Sequence, residues 1–240
     1  VSLAVIAGSG LGPLARIVDP EHEVAFEDIP GVGAAKIEGH TGKILTGTIA
    51  GRPCQLVLGR RHYYEGDERP IHRLIDHLID GGATTLLVTS AAGSLRRTLC
   101  AGDLVVIRDI IDHQNRGGRA RAARRVQVDP RATALFEAAA AEARVPWQRG
   151  TMFCTSGPLY ETAADVELLQ YAGADVATMS GAPEVTWANR RNLPVVAVAV
   201  VTNPCTGIDA SIPAHDEVLR ASARAALGLS GVIMQFIVKL

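Results

Sequence analysis

The sequence predicts an α/β fold, a mixed and largely parallel central sheet flanked by helices on both faces, and three observations carry that expectation. Short apolar runs alternate with segments of helical periodicity along the whole chain. The apolar runs are continuous rather than alternating, as in strands buried on both faces. Polar, glycine-containing clusters follow the apolar runs, as they do at the carboxyl edge of such a sheet, where ligands gather.

The first strand is the run from Leu3 to Ala7, entering the turn Gly8, Ser9, Gly10, Gly12. That turn has three readings: a dinucleotide loop, a plain strand-to-loop turn, or a small-anion loop using backbone N–H groups and the Ser9 hydroxyl. The third glycine of the dinucleotide pattern is replaced by Pro13, and the stretch EHEVAFEDIPG that follows is not a clean second strand ending in an acid. Alternation in KILTGTIA and PCQLVL, with Gly51 and Arg52 between them, predicts a hairpin at about 43–58. In RPIHRLIDHLIDGG, Ile71, Leu74, Ile75, Leu78 and Ile79 share one helix face, Pro70 suits the first turn and Gly81 ends the helix. TTLLVTS reads as a buried strand running into a small-residue turn, SAAGS at 90–94, and DLVVIRDIID as the next strand.

Asp129 and Pro130 open a capped helix, RATALFEAAAAEA, and QRGTMFCT follows as a strand. Thr162 and Asp165 form a capping box for the helix TAADVELLQYAG. PEVTWANRRN is helical, LPVVAVAVVT is a buried strand, and the chain from His215 onward is mostly helix. No internal repeat interrupts this alternation. The one shift of composition is RGGRARAARR at 116–125, five arginines in ten residues, which reads as a solvated mobile loop or as an anion or partner contact.

At 240 residues and 48% hydrophobic, the chain is expected to form one domain, 1–240, around a substantial core. A net charge of −1 with 20% charged residues gives no reason to expect nucleic acid or an anionic membrane surface as partner. The most apolar stretch, 193–201, is too short to span a bilayer, and the start lacks a basic leader, so the expected compartment is the cytosol. Cys54, Cys100, Cys154 and Cys205 are far apart with no C-x-x-C pair; they read as buried or half-buried thiols, not as a metal site.

The polar clusters form a recognisable set. GSGLG, GHTGK, GRRHYYEG, the AAG of VTSAAGSL, GPLYET, GADVATMSGAPEV, VTNP and AHDEVL, in this order, resemble the trimeric purine nucleoside phosphorylases, the family that also contains methylthioadenosine phosphorylase. The resemblance covers nearly the whole chain. It implies a transferase of purine salvage in which inorganic phosphate, a co-substrate, displaces a purine from C1′ of a nucleoside, with no further cofactor and no metal, in a homotrimer. For the glycine turn it favours the small-anion reading.

The resemblance assigns roles residue by residue. Phosphate would be met by Ser9, by the Arg60 fork, by His62, by the N–H of Ala91 and by the Ser180 hydroxyl, with His40 nearby. Tyr64, Met179 and His215 would line the ribose, His215 meeting the 5′-hydroxyl. Tyr160, in place of the usual phenylalanine, would stack on the base, while Glu161 accepts from N1–H of a 6-oxopurine and Asn203 donates to N7 or O6. Glu161, Asn203 and His62 are the expected catalytic residues, and Glu65 is expected to orient His62 or its loop rather than touch substrate. This chain departs from the family at Ser90, usually Asn, at Ser94, usually Gly, at Pro204, and in the shortened 112–130 segment. No replacement is evident there for the phenylalanine that members send into a neighbouring subunit's site.

The leading expectation is therefore phosphorolysis of inosine, guanosine and their 2′-deoxy forms. A phosphorylase of 5′-methylthio nucleosides or of xanthosine is the alternative within the family, the former tending to be apolar where His215 stands. A non-catalytic nucleoside- or phosphate-binding protein is the alternative of another class, separated by whether base release depends on phosphate.

Overall fold

In the computed structural model the described residues are 2–35, 37, 40–114, 126–209 and 215–240, without the side chain of His215. The strands are β1 (Leu3–Ala7), β2 (Asp19–Ala25), β3 (Lys43–Ile49), β4 (Arg52–Leu58), β5 (Thr85–Ser94), β6 (Leu104–Asp112), β7 (Trp147–Cys154), β8 (Val176–Thr178) and β9 (Val195–Pro204). The helices are α1 (Arg69–Asp80), α2 (Pro130–Glu142), α3 (Ala163–Tyr171), α4 (Ala182–Arg190) and α5 (His215–Lys239).

The expected local signals do their work at the helix ends. Pro70 lies in the first turn of α1, whose Ile71, Leu74, Ile75 and Leu78 form the buried stripe. Asp129 accepts the N–H of Ala132 at 2.7 Å to start α2. Thr162 and Asp165 make the reciprocal capping box of α3, at 2.9 and 3.2 Å.

Strand order is β2-β3-β4-β1-β5-β8-β7-β6-β9, and β9 also pairs with β5. Five strands, β5, β8, β7, β6 and β9, thus close into a barrel, and β1, β4, β3 and β2 extend from it as a flanking sheet. β1 is parallel to both β4 and β5 and wholly buried. The β3–β4 hairpin turns at Ala50 and Gly51, both with positive φ.

Helices cover both faces, so the core is split by the sheet. One side packs α1 and α4 through Leu74, Leu78, Val185 and Ala188. The other packs α2 against α5, with Phe136 and Phe236 edge-on at 5.4 Å between ring centres.

Four expectations are corrected. SAAGS is not a turn: β5 continues through Ser94, paired with β9 on one side and with Ala177 and Val176 of β8 on the other. Small side chains are needed because a Cβ on Gly93 would stand 2.5 Å from the Cys205 sulfur. The stretch EHEVA does form a strand, β2, whose exposed edge position leaves no apolar alternation to read. Cys100 is exposed, while Cys54, Cys154 and Cys205 are buried as expected. Finally, the longest apolar segment is not 193–201 but the helix Asp216–Lys239, long and apolar enough to cross a membrane; 50% of its apolar window is buried within this fold. The arginine-rich stretch 116–125 lies outside the described residues.

Candidate active site

A cavity of about 370 Å³ opens where β1, β4, β5, β8 and β9 end. Of the residues singled out from the sequence, Ser9, His62, Tyr64, Ala91, Tyr160, Glu161, Met179, Ser180 and Asn203 line it, and Arg60, His40 and Glu65 do not. The side chain of His215 lies outside the described residues, and only its place at the start of α5 is given.

At one end stand Ser9, His62, Ala91 and Ser180. The glycines that bring Ser9 there serve close approach. A Cβ on Gly8 would lie 3.0 Å from the Thr89 carbonyl oxygen of β5, and Gly10, with φ of 76°, abuts Leu219 of α5, where a Cβ would meet the carbonyl oxygen at 2.7 Å. Gly8 N–H donates to the Thr89 hydroxyl at 3.1 Å, so β5 holds the loop directly.

His40, outside the lining, backs this end. Its Nε2 is 3.0 Å from the Ser9 hydroxyl oxygen, and its Nδ1 is 3.2 Å from both the nitrogen and the oxygen of the Arg60 backbone. The His40 ring stacks on His62 at 5.3 Å, and His62 on Tyr64 at 4.9 Å. Burial, then the charges of His62 and Arg60, lowers the His40 pKa from 6.5 to about 3. The ring is neutral at working pH, one nitrogen protonated.

Between about 3 and 6.5 the unfolded chain binds a proton at His40 that the folded chain does not, so the contribution of the neutral ring is full above 6.5 and lost as pH falls toward 3. Urea midpoints are expected to decline from about pH 7 to about pH 4.5, and His40→Gln to make the slope shallower by about one proton. An unchanged slope in that variant would show that His40 is not the group responsible.

His62 precedes a short 3-10 turn, Tyr63–Glu65, and its backbone N–H donates to Glu65 Oε1 at 2.7 Å. The same carboxylate lies 3.6 Å from His62 Nδ1, which leaves Nε2 as the other ring nitrogen. Burial alone would raise the Glu65 pKa, but hydrogen bonds from His62 and the charges of Arg61 and His62 hold it below the usual carboxylate range.

Arg60 corrects the expectation of a fork open to phosphate. Its side chain is 2% exposed and lies behind the wall. Nη1 donates to Glu184 Oε1 at 3.0 Å and to the Ser90 hydroxyl at 3.3 Å, and Nη2 donates to the Thr89 carbonyl. Ser90 in turn touches the Ser180 hydroxyl at 3.3 Å, so the charge reaches the cavity through two hydroxyls. Burial pulls the Arg60 pKa down, opposed by the Glu184 carboxylate beside it.

At the other end lie Tyr160, Glu161 and Asn203. Glu161 Oε1 accepts from the Thr155 hydroxyl at 3.0 Å. The Asn203 amide is oriented by the Thr202 hydroxyl, which donates to Oδ1 at 2.7 Å, and by the Pro204 carbonyl, which takes one N–H at 2.9 Å. One N–H is left for the cavity. Met179 and Tyr64 also line the cavity, and the Met179 backbone carbonyl is held by Gln114 Nε2 at 3.0 Å.

Sequence reasoning missed Cys205, which it read only as a packing thiol. The residue is buried yet lines the cavity beside Asn203, and burial followed by the Glu161 charge raises its pKa to about 12, so it presents S–H. Ile37, Thr202 and Val218 also line the cavity. Nothing in their local sequence marks them.

A cavity with hydroxyl and imidazole donors at one end, and a carboxylate acceptor beside an amide donor at the other, suits a ligand that is an anion at one side and a hydrogen-bonding ring at the other. Comparison with known proteins agrees. The family model described as Phosphorylase superfamily matches residues 2–238. Purine nucleoside phosphorylase 1 of Bacillus subtilis is 32% identical, over 94% of this chain and 88% of its own length. The crystal structure of Schistosoma mansoni purine nucleoside phosphorylase in complex with adenosine superposes with a TM-score of 0.88 at 31% identity, covering 99% of this chain and 90% of that one. The same enzyme in complex with inosine gives 0.88 at 29% identity, with the same coverage. Shared over nearly its whole length, this sequence and fold mean that the chain belongs to the phosphorylase superfamily, among the nucleoside phosphorylases.

Proposed function

We propose that the chain, as one catalytic domain, phosphorolyses purine nucleosides, with a preference for the 6-oxopurines of inosine and guanosine. A phosphate oxygen forms a bond to C1′ as the C1′–N9 bond breaks. The electron pair leaves with the base, the proton of the phosphate ends on the imidazole ring of the purine, and ribose 1-phosphate is the second product. Phosphate is itself the nucleophile, so the step calls for no cofactor.

In this reading Ser9, His62, the Ala91 N–H and Ser180 bind phosphate, and Arg60 adds its charge from behind Ser90 and Ser180. Tyr64, Met179 and His215 hold the sugar, and Tyr160 stacks on the base. Glu161, an acceptor only, pairs with N1–H of a 6-oxopurine and faces the N1 lone pair of adenine. Asn203 donates toward N7 or O6, where negative charge grows as the bond breaks, so its bond is stronger in the transition state than in the ground state. Since a relative has been crystallised with adenosine, discrimination against 6-amino bases is expected in turnover rather than as absolute exclusion.

The observation that carries this reading is the presence, in one cavity, of the anion-side donors with the Glu161 and Asn203 pair. Leu159, Leu168 and Tyr171 are apolar side chains 84%, 63% and 91% exposed, which fits self-association as in the family's trimer. A cytoplasmic location fits a partner set of nucleoside and phosphate. Release of hypoxanthine from inosine, followed with and without inorganic phosphate, tests the function.

A further inference from the structure

Arg61 carries a charge that the proposed chemistry does not use. Its side chain is only 11% exposed and does not line the cavity. Its Nε lies 3.0 Å from Glu65 Oε2. Its Nη1 donates to the carbonyl oxygens of Ala34, at 2.8 Å, and Val32, at 3.2 Å. One guanidinium therefore ties two separate stretches together, the backbone between β2 and β3 and the turn after β4.

Both stretches lead to the anion end of the cavity. Beyond Ala34 the chain reaches Ile37, which lines the cavity, and His40, which meets Ser9 and stacks on His62. Glu65, with a side chain 5% exposed, takes the His62 N–H at 2.7 Å and faces His62 Nδ1 at 3.6 Å. His62 is thus held from two directions, by Glu65 at its backbone N–H and by the His40 ring against its face, and Arg61 contacts the segment behind each.

We propose that Arg61 is a positioning residue that joins the β2–β3 connection to the Glu65–His62 pair, so that Ser9, His40 and His62 are already arranged as an anion subsite before phosphate arrives. The inference rests on the phosphorolytic reading of the cavity. Arg61 acts on phosphate without touching it, through the two stretches it joins. The guanidinium is needed for this, because it keeps its charge 3.0 Å from the Glu65 carboxylate while Nη1 donates to two carbonyls, a span that a single ammonium does not cover. Lysine would keep the charge beside Glu65 and lose the reach to Val32 and Ala34. A neutral side chain of similar length would lose both and leave the Glu65 carboxylate buried without its cation.

The test uses Arg61→Met and Arg61→Lys, with steady-state kinetics in inosine and phosphate and with calorimetric titration of inorganic phosphate into protein lacking nucleoside. Arg61→Met is expected to raise the phosphate KM and the phosphate Kd together by about tenfold, as for loss of preorganisation, while the inosine KM stays within about twofold. Arg61→Lys is expected to fall between it and the unchanged protein. Equal increases in both KM values, a fall in kcat alone, or no change would each overturn the proposal. If Arg61→Met does not fold, as judged by thermal melting, Arg61→Lys carries the same comparison. Were the unchanged protein to release no base in a phosphate-dependent way, the functional reading would fail. The phosphate titration would still decide whether Arg61 arranges the subsite.

Discussion

Asn203→Ala is expected to lower kcat for inosine by roughly two to three orders of magnitude with little change in KM, as for loss of one donor to a developing anion. The structure explains why the effect belongs to the transition state. The amide is held by Thr202 at 2.7 Å and by the Pro204 carbonyl at 2.9 Å, so its remaining N–H is aimed before substrate binds. Its alignment costs nothing as charge moves onto the base. The companion variant Asn203→Asp is expected to shift preference from inosine toward adenosine, because a carboxylate repels O6 and accepts from a 6-amino group. In that variant a carboxylate oxygen would stand where Nδ2 now meets the Pro204 carbonyl, which favours the protonated acid. Glu161 remains an obstacle to adenine, so the shift should be incomplete. Values of kcat/KM for both nucleosides on both variants decide the matter: inosine turnover undiminished in Asn203→Ala would remove Asn203 from contact with the leaving base.

Glu184→Ala is expected to destabilise the fold by about 3–5 kcal/mol, because it leaves a buried cation without its partner. Arg60 and Glu184 have side chains 2% and 1% exposed and are paired at 3.0 Å. The second Glu184 oxygen accepts the Gly181 N–H at 2.9 Å, so the same change also uncaps α4 directly behind Ser180. For a chain of this size the loss corresponds to a fall in Tm of roughly 6–20 °C. The double variant Arg60→Met with Glu184→Leu is expected to recover much of that stability, since the uncompensated charge is gone, while its phosphate KM remains high. Urea unfolding of the two variants separates these effects. A destabilisation below about 1 kcal/mol in Glu184→Ala would mean that Arg60 finds other compensation in the wall.

Signals that reside in a few neighbouring residues were legible in the sequence. The apolar stripe of α1, the Asp129 cap and the Thr162–Asp165 box each state their structure within one or two turns, and the structure has them all. β2 and β8 were not legible, for opposite reasons: β2 lies at an exposed edge without alternation, and β8 has only three residues. The SAAGS stretch was misread because small residues suit both a turn and a barrel strand crossed closely by a neighbour; only the pairing with β8 and β9 distinguishes them. In the site, residues in recognisable blocks, from Ser9 to Asn203, do meet in one cavity. Depth was not legible. The expectation put Arg60 in the cavity, and the structure puts it behind the wall, while Cys205, buried as expected, also lines the cavity; each position depends on a residue more than a hundred positions away, Glu184 for Arg60 and Gly93 for Cys205.

Whether this cavity joins a purine nucleoside to phosphate is decided by a single assay. Purified protein is incubated with inosine, in phosphate and in phosphate-free buffer, and both hypoxanthine and ribose 1-phosphate are quantified. Hypoxanthine and ribose 1-phosphate are expected in equal amounts, at a rate that saturates with phosphate and vanishes without it. Hypoxanthine released equally well without phosphate, with free ribose as the other product, would make the protein a hydrolase; binding of inosine with no base release under either condition would make it a binding protein. Either result would rule out phosphorolysis.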